Sequence, residues 1–556
     1  MDTIFSPTTI LVLLALTAIL YLASRAALPK PLPGIPYVPG SEKNLLGNLP
    51  LALAHTKHAG RFSSYFYKPA EDLGVPLLQL FMQPFGRPCL LLCDGREAQD
   101  LMTRRAHEFE YADFAIDLHR GAWPGTLAAL KTNERWRANR RMLGETTTSR
   151  FVNSVGLEAM YRGAGELVEL LALKARLARG EVFDVREDLK NATADIIWTY
   201  SYNGKLGAVS SQIEALNESN KLLDNQVLAA KLPDVLKAII DISATSQIPL
   251  ESPLGITHQK LVLRLTPKLR RATAVHDARL EHEVKQAAKR LSEKKLPADE
   301  SAMASMLNRL QATFGDEIPA SELKAVQNEL ALMMHAGQKT VADTTAWAFK
   351  YLAVHQDVQQ KVRAELKAVF GNVSTIPKED IIPANLPHCD AVAHEVLRHM
   401  PIIPCHIRTS LVDTQLLGHF IPKGTNVFMP PVGPSFTSPA LPIDESKRTG
   451  NTTSRMWSHS HTDLDVFRPD RWLVKQEDGS VKFDNRAAPM LTFADGPRMC
   501  FGTKFAMLEF RVLLVVLLWH FELLELPREL VDFEANDFLT IEPRNTRVRL
   551  RVVERG

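Results

Sequence analysis

The stretch FADGPRMCFG, residues 493–502, constrains the chain more than any other. It sets a single cysteine, Cys500, between Gly496 and Gly502, with Arg498 two residues before it, and then runs into the apolar KFAMLEFRVLLVVLLWHFELLEL. Glycine permits backbone angles or close approaches that a side chain blocks. A tight loop feeding a helix start gathers N–H groups around the sulfur, and their dipoles favour a thiolate. The stretch predicts Cys500 as an anionic ligand with a helix behind it.

Composition limits what that ligand serves. The 556 residues are 45% hydrophobic and 23% charged with a net charge of +3, ordinary globular material without the concentrated basic face of a nucleic-acid binder. The five cysteines, Cys89, Cys93, Cys389, Cys405 and Cys500, are sparse, odd in number and include no CxxC pair, which argues against a disulfide framework or structural zinc site. The four besides Cys500 read as small buried or half-buried residues.

Residues 3–24 carry no charge, and at roughly 1.5 Å per residue such a helix spans a hydrocarbon core of ~30 Å. Arg25 and Lys30 follow it, which places the bulk of the chain in the cytosol. A cleaved signal peptide is the competing reading, but the charged n-region is missing. The proline-rich PKPLPGIPYVPG comes next and predicts a semi-rigid extended spacer. We therefore divide the chain into a membrane anchor, 1–28, a proline-rich hinge, 29–40, and one catalytic domain, 41–556. Within that domain ASELKAVQNELALMMHAG, DVQQKVRAELKAVF (with Asp357 as cap) and NLPHCDAVAHEVLRHM have helical periodicity. PLLQLFM, PCLLLCD and TQLLGHFIPKGTNVFMP read as β. The fold class is mainly α with small β-sheets. GPSFTSPALPIDESKRTGNTTSRMW reads as a long loop without a core of its own.

Glu395 and Arg398 lie three apart and share a helix face. An isolated E-x-x-R is more often a solvated surface pair. Downstream, FRPDRW offers Arg471 in a proline-braced loop as the third member of a buried Glu-Arg-Arg network.

Glu395 and Arg398, then Phe467, Pro469, Arg471 and Trp472, then Phe493, Gly496, Arg498, Cys500 and Gly502, in this order along the chain, resemble the haem-thiolate monooxygenases called cytochromes P-450. The resemblance covers essentially the whole chain and includes the anchor and hinge of the microsomal branch. It implies the P-450 fold, with haem b between a long central helix and the cysteine loop. Cys500 becomes the iron ligand, whose thiolate favours O–O cleavage on the opposite face. Trp136, Arg140, Arg408 and Arg498 become partners of the haem propionates, and Phe493 and Gly502 line the loop. On the oxygen side the family pattern is small-Gly-x-acid-Thr, where the small pair makes room for dioxygen and the threonine helps deliver protons. Here it reads Ala336, Gly337, Gln338, Lys339, Thr340, so Lys339 replaces the acid. One turn on, ADTT supplies Asp343 and Thr344, which leaves the register of the oxygen groove open.

The resulting expectation is an oxidoreductase of secondary metabolism, resembling fungal members. It inserts one oxygen atom of O2 into a hydrophobic small molecule with electrons from an NADPH-dependent flavoprotein reductase, cytochrome b5 being a further donor. It would sit in the endoplasmic reticulum membrane by a single transmembrane helix, the catalytic domain facing the cytosol and with no nucleic-acid partner. Lys339 also admits a haem-thiolate isomerase or dehydratase needing neither O2 nor reductase, and a non-catalytic haem- or lipid-binding membrane protein is the third reading. Lys339 is expected to turn toward water or Asp343.

Overall fold

The computed structural model of the protein describes residues 7–82, 86–219, 231–252, 254–449, 462–537 and 540–554. Helix Pro7–Ala27 opens the chain, and its stretch Thr8–Ala27 is long and apolar enough to cross a membrane. Leu11, Leu14 and Leu20 on it are exposed. Residues 3–6 of the predicted span lie outside the described residues.

The chain divides into two compact units, Met1–Glu110 with Pro404–Arg455, and Tyr111–Ile403 with Met456–Gly556. The chain crosses between them at 110/111, 403/404 and 455/456, and only the last crossing lies in a stretch that composition singles out, the polar loop 433–457.

The first unit is built on a sheet in which Leu77–Leu80, Cys89–Leu92, Asn426–Met429 and His406–Ser410 are successive neighbours, with a fifth strand beginning at Phe109 on the far edge. Leu77 faces Leu92 and His406 faces Met429 in antiparallel pairs, while Leu90 runs parallel to Val427. The third β-rich stretch of the sequence is three strands, because Leu417 and Gly418 take positive φ and turn Thr414–Leu416 back onto His419–Ile421. The proline segment is docked here. Fully buried Gln79 bonds Leu32 N (2.8 Å), Leu32 O (3.0 Å) and Ile35 O (2.8 Å), so part of the expected spacer is an edge of the sheet. The polar loop is anchored in part as well, since buried Arg448 donates to Asp94 at 2.6 Å; its residues 450–457 lie outside the described residues.

The second unit is helical. Its axis is the central helix Ala320–Val354, packed against Arg186–Tyr202, Pro387–His399 and Thr503–His520. Close approach requires small residues: a Cβ on Gly163 would stand 2.3 Å from Ile196, and one on Gly337 would stand 3.0 Å from Ile197. The apolar run after Cys500 forms the Thr503–His520 helix, with Val512 through Trp519 buried. Each such aliphatic side chain contributes roughly 1.5–3 kcal/mol by leaving water. The run does not continue as helix, because Phe521–Leu523 pairs antiparallel with Leu550–Val552 and Leu523 N donates to Gln359 at 2.9 Å. Asp357 does not cap its helix. The N-cap of Gln356–Phe370 is His355, and Asp357 lies in the first turn, where its charge still favours the helix dipole.

Candidate active site

The cysteine loop is held by its own backbone. Cys500 N donates to Phe493 O at 2.9 Å, and Asp495 accepts from Gly496 N at 2.6 Å. Gly496 is left-handed at φ 71°, as the sequence anticipates, but so is Ala494 at φ 58°, a strained position that no glycine marks. Gly502 has ordinary φ and serves by its size: a side chain there would begin 3.9 Å from the Cys500 sulfur. Although Cys500 keeps exposed surface, the protein packed around its sulfur excludes enough water to raise the thiol above its usual pKa, opposed by the Gly502 N–H and the Thr503 hydroxyl. The loop alone therefore does not make the anion that the sequence argument expects; coordination to a metal would deprotonate the thiol outright.

Arginines frame this loop. Asn133 caps the helix Glu134–Met142 by accepting from Trp136 N at 2.9 Å, which orients Trp136 and Arg140 on successive turns. Arg140 lies over the rings of Phe501 (4.7 Å) and Trp136 (5.5 Å). Arg498 lies over Tyr111 (4.8 Å) and Trp136 (4.9 Å) and donates to Leu130 O at 3.0 Å. Burial lowers the Arg140 pKa, and among the described residues no carboxylate pairs with it. Phe493 is half-buried beside them. Arg408 belongs to the other unit, buried on the strand His406–Ser410.

A second buried polar system backs the site. Glu395 accepts from Arg398 Nη2 (2.7 Å) and Nε (2.9 Å), Arg471 Nε (2.9 Å), Trp472 Nε1 (2.8 Å) and the Arg468 N–H (2.9 Å). The side chains of Glu395, Arg398 and Arg471 are all 0% exposed, which removes the solvated-pair reading. Burial would raise the Glu395 pKa, but its bonds from Arg398 and His399 outweigh that and hold it well below the carboxylate range.

On the central helix, Ala336 is exposed and Thr340 half-buried, although Met334 and Val341 beside them are buried. Cys500 is exposed in the same way, next to a helix whose Phe505 and Glu509 are buried. Both positions are uncovered in otherwise packed elements of the second unit. Thr340 Oγ1 donates to Ala336 O at 2.8 Å. Thr344 donates to Thr340 O at 2.8 Å and is itself buried. Gly337 lies against another helix, since its missing side chain makes room for Ile197. Lys339 pairs with Asp343 at 2.7 Å, as its chemistry predicts, and also with Glu542, a partner the sequence gives no means of finding. Burial raises Asp343 to about 6 against the pull of Lys339. Glu329, also unforeseen, accepts from Asn139 Nδ2 (2.6 Å) and Leu127 N (2.8 Å), bracing the segment that leads to Trp136.

The residues fit a haem. An aromatic-flanked arginine without a carboxylate suits a buried propionate, and an accessible cysteine cupped by a glycine suits a metal. Comparison with known proteins agrees. The family profile described as Cytochrome P450 matches residues 39–434 and 460–548. The cytochrome P450 monooxygenase GME11363 of Pestalotiopsis microspora is 33% identical over 97% of both chains. The cytochrome P450 monooxygenase TRI13 of Fusarium sporotrichioides is 28% identical over 96% of this chain and 98% of its own. In fold, the cytochrome P450DA haem domain superposes with a TM-score of 0.66 at 20% identity, covering 95% of this chain and 97% of that one. The chain belongs to the cytochrome P450 family, and with it to the haem-dependent monooxygenases.

Proposed function

We propose that the protein inserts one atom of O2 into a hydrophobic organic molecule in fungal secondary metabolism. The two electrons come from NADPH through a partner flavoprotein reductase, with cytochrome b5 as an auxiliary donor, and the second oxygen atom leaves as water. Haem b, when bound, supplies the iron at which O2 is reduced and split. The chain's own residues do the rest. Cys500 ligates, Gly502 and Thr503 donate toward its sulfur, Arg140 and Arg498 hold the propionates against Trp136 and Phe501, and the family pattern adds Arg408. Ala336 leaves room for O2, and the Thr340 hydroxyl passes it protons. The observation that carries this reading is that Ala336 is exposed and Thr340 half-buried on a helix whose Met334 and Val341 are buried. The ion pairs of Lys339 with Asp343 and Glu542 favour this over an isomerase, because they tie down the residue that admits the alternative. The apolar helix Pro7–Ala27 supports single-pass anchoring in the endoplasmic reticulum, with the remainder cytosolic.

The test is turnover of a pool of lipophiles with reductase and NADPH under 18O2, followed by mass spectrometry. We expect products heavier by one labelled oxygen, and only with NADPH present. Unlabelled rearranged products formed without NADPH would overturn the proposal in favour of an isomerase.

A further inference from the structure

Immediately before Ala336, the central helix carries His335, and a group of polar aromatic side chains gathers around it. The Trp123 ring is 5.3 Å from that of His335, the His119 ring is 5.8 Å from it, and the His276 ring is 5.5 Å from Trp123. Ser243 Oγ lies 2.8 Å from His335 Nδ1. These residues come from the helix Asp113–Arg120 and the turn after it, the end of Asp234–Ser243, the helix Pro267–Ser292 and the central helix. Phenylalanine and leucine would fill the same volume, so nitrogen-bearing rings meeting from separate elements need a reason.

Their hydrogen-bonding state supplies one. Among the described residues, His119 Nδ1, Trp123 Nε1 and His276 Nε2 are buried without a hydrogen-bond partner, and Trp123 and His276 are only 2% and 5% exposed. Unmatched buried polar atoms oppose folding, and a molecule that matches them recovers the loss. Indole is only a donor, whereas each neutral imidazole offers one donor and one acceptor. Asp277 lies 3.0 Å from His276 Nδ1, so a neutral His276 that donates there presents Nε2 as an acceptor. The group thus offers donors and acceptors side by side.

We propose that His119, Trp123, His276 and His335 form a substrate-specificity element that grips a neutral oxygen function, a hydroxyl or ketone, on an otherwise apolar molecule. This rests on the monooxygenase reading above and names the substrate class for it. A carboxylate does not fit, since it would place a charge beside the rings of His119 and His335. Burial supports that neutrality, pushing His119 down to about 4 and His335, also beside His119, to about 3. In a reaction sequence, the preceding step must deliver a skeleton already bearing oxygen.

The test uses haem-loaded full-length protein in detergent and four probes of one shape: decalin, 2-decalol, 2-decalone and decalin-2-carboxylic acid. Binding is read from the shift of the Soret band and independently by calorimetry. We expect the alcohol or the ketone to bind at least about tenfold tighter than decalin, the ratio a matched buried hydrogen bond supports. The acid should show no such gain. Trp123→Phe and His335→Phe should collapse the ratio while changing the decalin Kd by less than about twofold. Equal affinity for decalin and its oxygenated forms, preference for the acid, or uniform weakening of all four probes in the variants would each overturn the proposal. The reduced carbon monoxide spectrum of each preparation separates the two readings. Its thiolate band present without an alcohol or ketone preference removes only the specificity element; its absence from haem-loaded wild type removes the monooxygenase reading as well.

Discussion

Glu395→Gln is isosteric, yet it should be among the most damaging single changes in the second unit. Glu395 receives five hydrogen bonds, two of them from Arg398 and one from Arg471, and none of the three side chains touches water. Replacing it by an amide leaves two buried guanidinium groups without their shared anion and turns an NH2 toward donors. Breaking a buried ion pair by removing one member costs about 3–5 kcal/mol. Unfolding entropy grows with chain length, so at roughly 1 °C per kcal/mol for a domain of this size the change lowers Tm by about 3–5 °C, and scanning calorimetry of the haem-loaded protein reads it. Two controls grade the effect. Trp472→Phe removes one donor at 2.8 Å and leaves the charges paired, so it should cost roughly 1.5–3 kcal/mol. Lys361→Ala breaks a half-exposed pair with Asp470 and should cost about 1 kcal/mol or less. The sign with pH follows from the depressed pKa of Glu395. Its stabilisation is full above the unfolded carboxylate pKa of about 4.3 and is lost only as pH falls through the folded value. The gap between wild type and variant should therefore stay constant from pH 6 to 8. A cost no larger than that of Trp472→Phe, or a gap that closes in this range, would refute the reasoning.

Cys500→His should abolish the red-shifted Soret band of the reduced carbon monoxide complex, read by absorbance, and an unchanged band would remove Cys500 as ligand. Thr340→Ala should divert electrons to peroxide with substrate binding intact, whereas Thr344→Ala should change product formed per NADPH very little; the reverse pattern would put the oxygen groove one turn later. Burial raises Glu329 to about 7, opposed by Asn139 and the Leu127 N–H. Folding thus favours its protonated form, and the stabilisation, full below about 4.3 and worth roughly 3 kcal/mol, is lost as pH rises through 7. Glu329→Gln should accordingly flatten the fall of Tm between pH 5 and 8, and an equal slope in both proteins would contradict the assignment. Removing residues 1–28 should release much of the protein from membranes with haem retained, checked by alkaline carbonate wash.

What the sequence reveals and what it hides follows from how far apart the partners lie. The cysteine loop is legible because its parts are local: Gly496, Arg498, Cys500 and Gly502 act within one turn of chain. Glu395 and Arg398 are legible as a pair for the same reason, and Arg471 only because the motif around it is short and unusual. Lys339 finds Asp343 four residues on, which helix geometry alone dictates. Its second partner, Glu542, is 203 residues away and comes from the strand Ile541–Pro543. Asn139 and Glu329 are 190 residues apart. Periodicity carries no information about such meetings, which tertiary packing alone creates. The same holds for Gln79, whose three bonds to the proline segment reinterpret a spacer as part of a sheet. Gly337 is misread in the opposite sense: the motif suggests open space for dioxygen, and packing fills that space with Ile197.

The charges along the central helix explain how a lysine can occupy the acid position. From Glu329 to Asp343, each titratable group on this helix is shifted toward its neutral form or drawn into an ion pair. Burial puts Glu329 at about 7, His335 at about 3 and Asp343 at about 6. Lys339 is held by two carboxylates. The space beside Ala336 and Thr340 is therefore left almost free of fixed charge, which suits an apolar molecule and makes a mobile proton count for more. A carboxyl with a pKa of about 6 both takes and gives protons near neutral pH, and Asp343 is the acid of this turn in that range. On the monooxygenase reading proposed above, Asp343 is the carboxyl one turn after the position where the family pattern has its acid. Lys339 links it to Glu542 near the C-terminal end of the chain, and the comparison of Thr340→Ala with Thr344→Ala decides which hydroxyl completes the route.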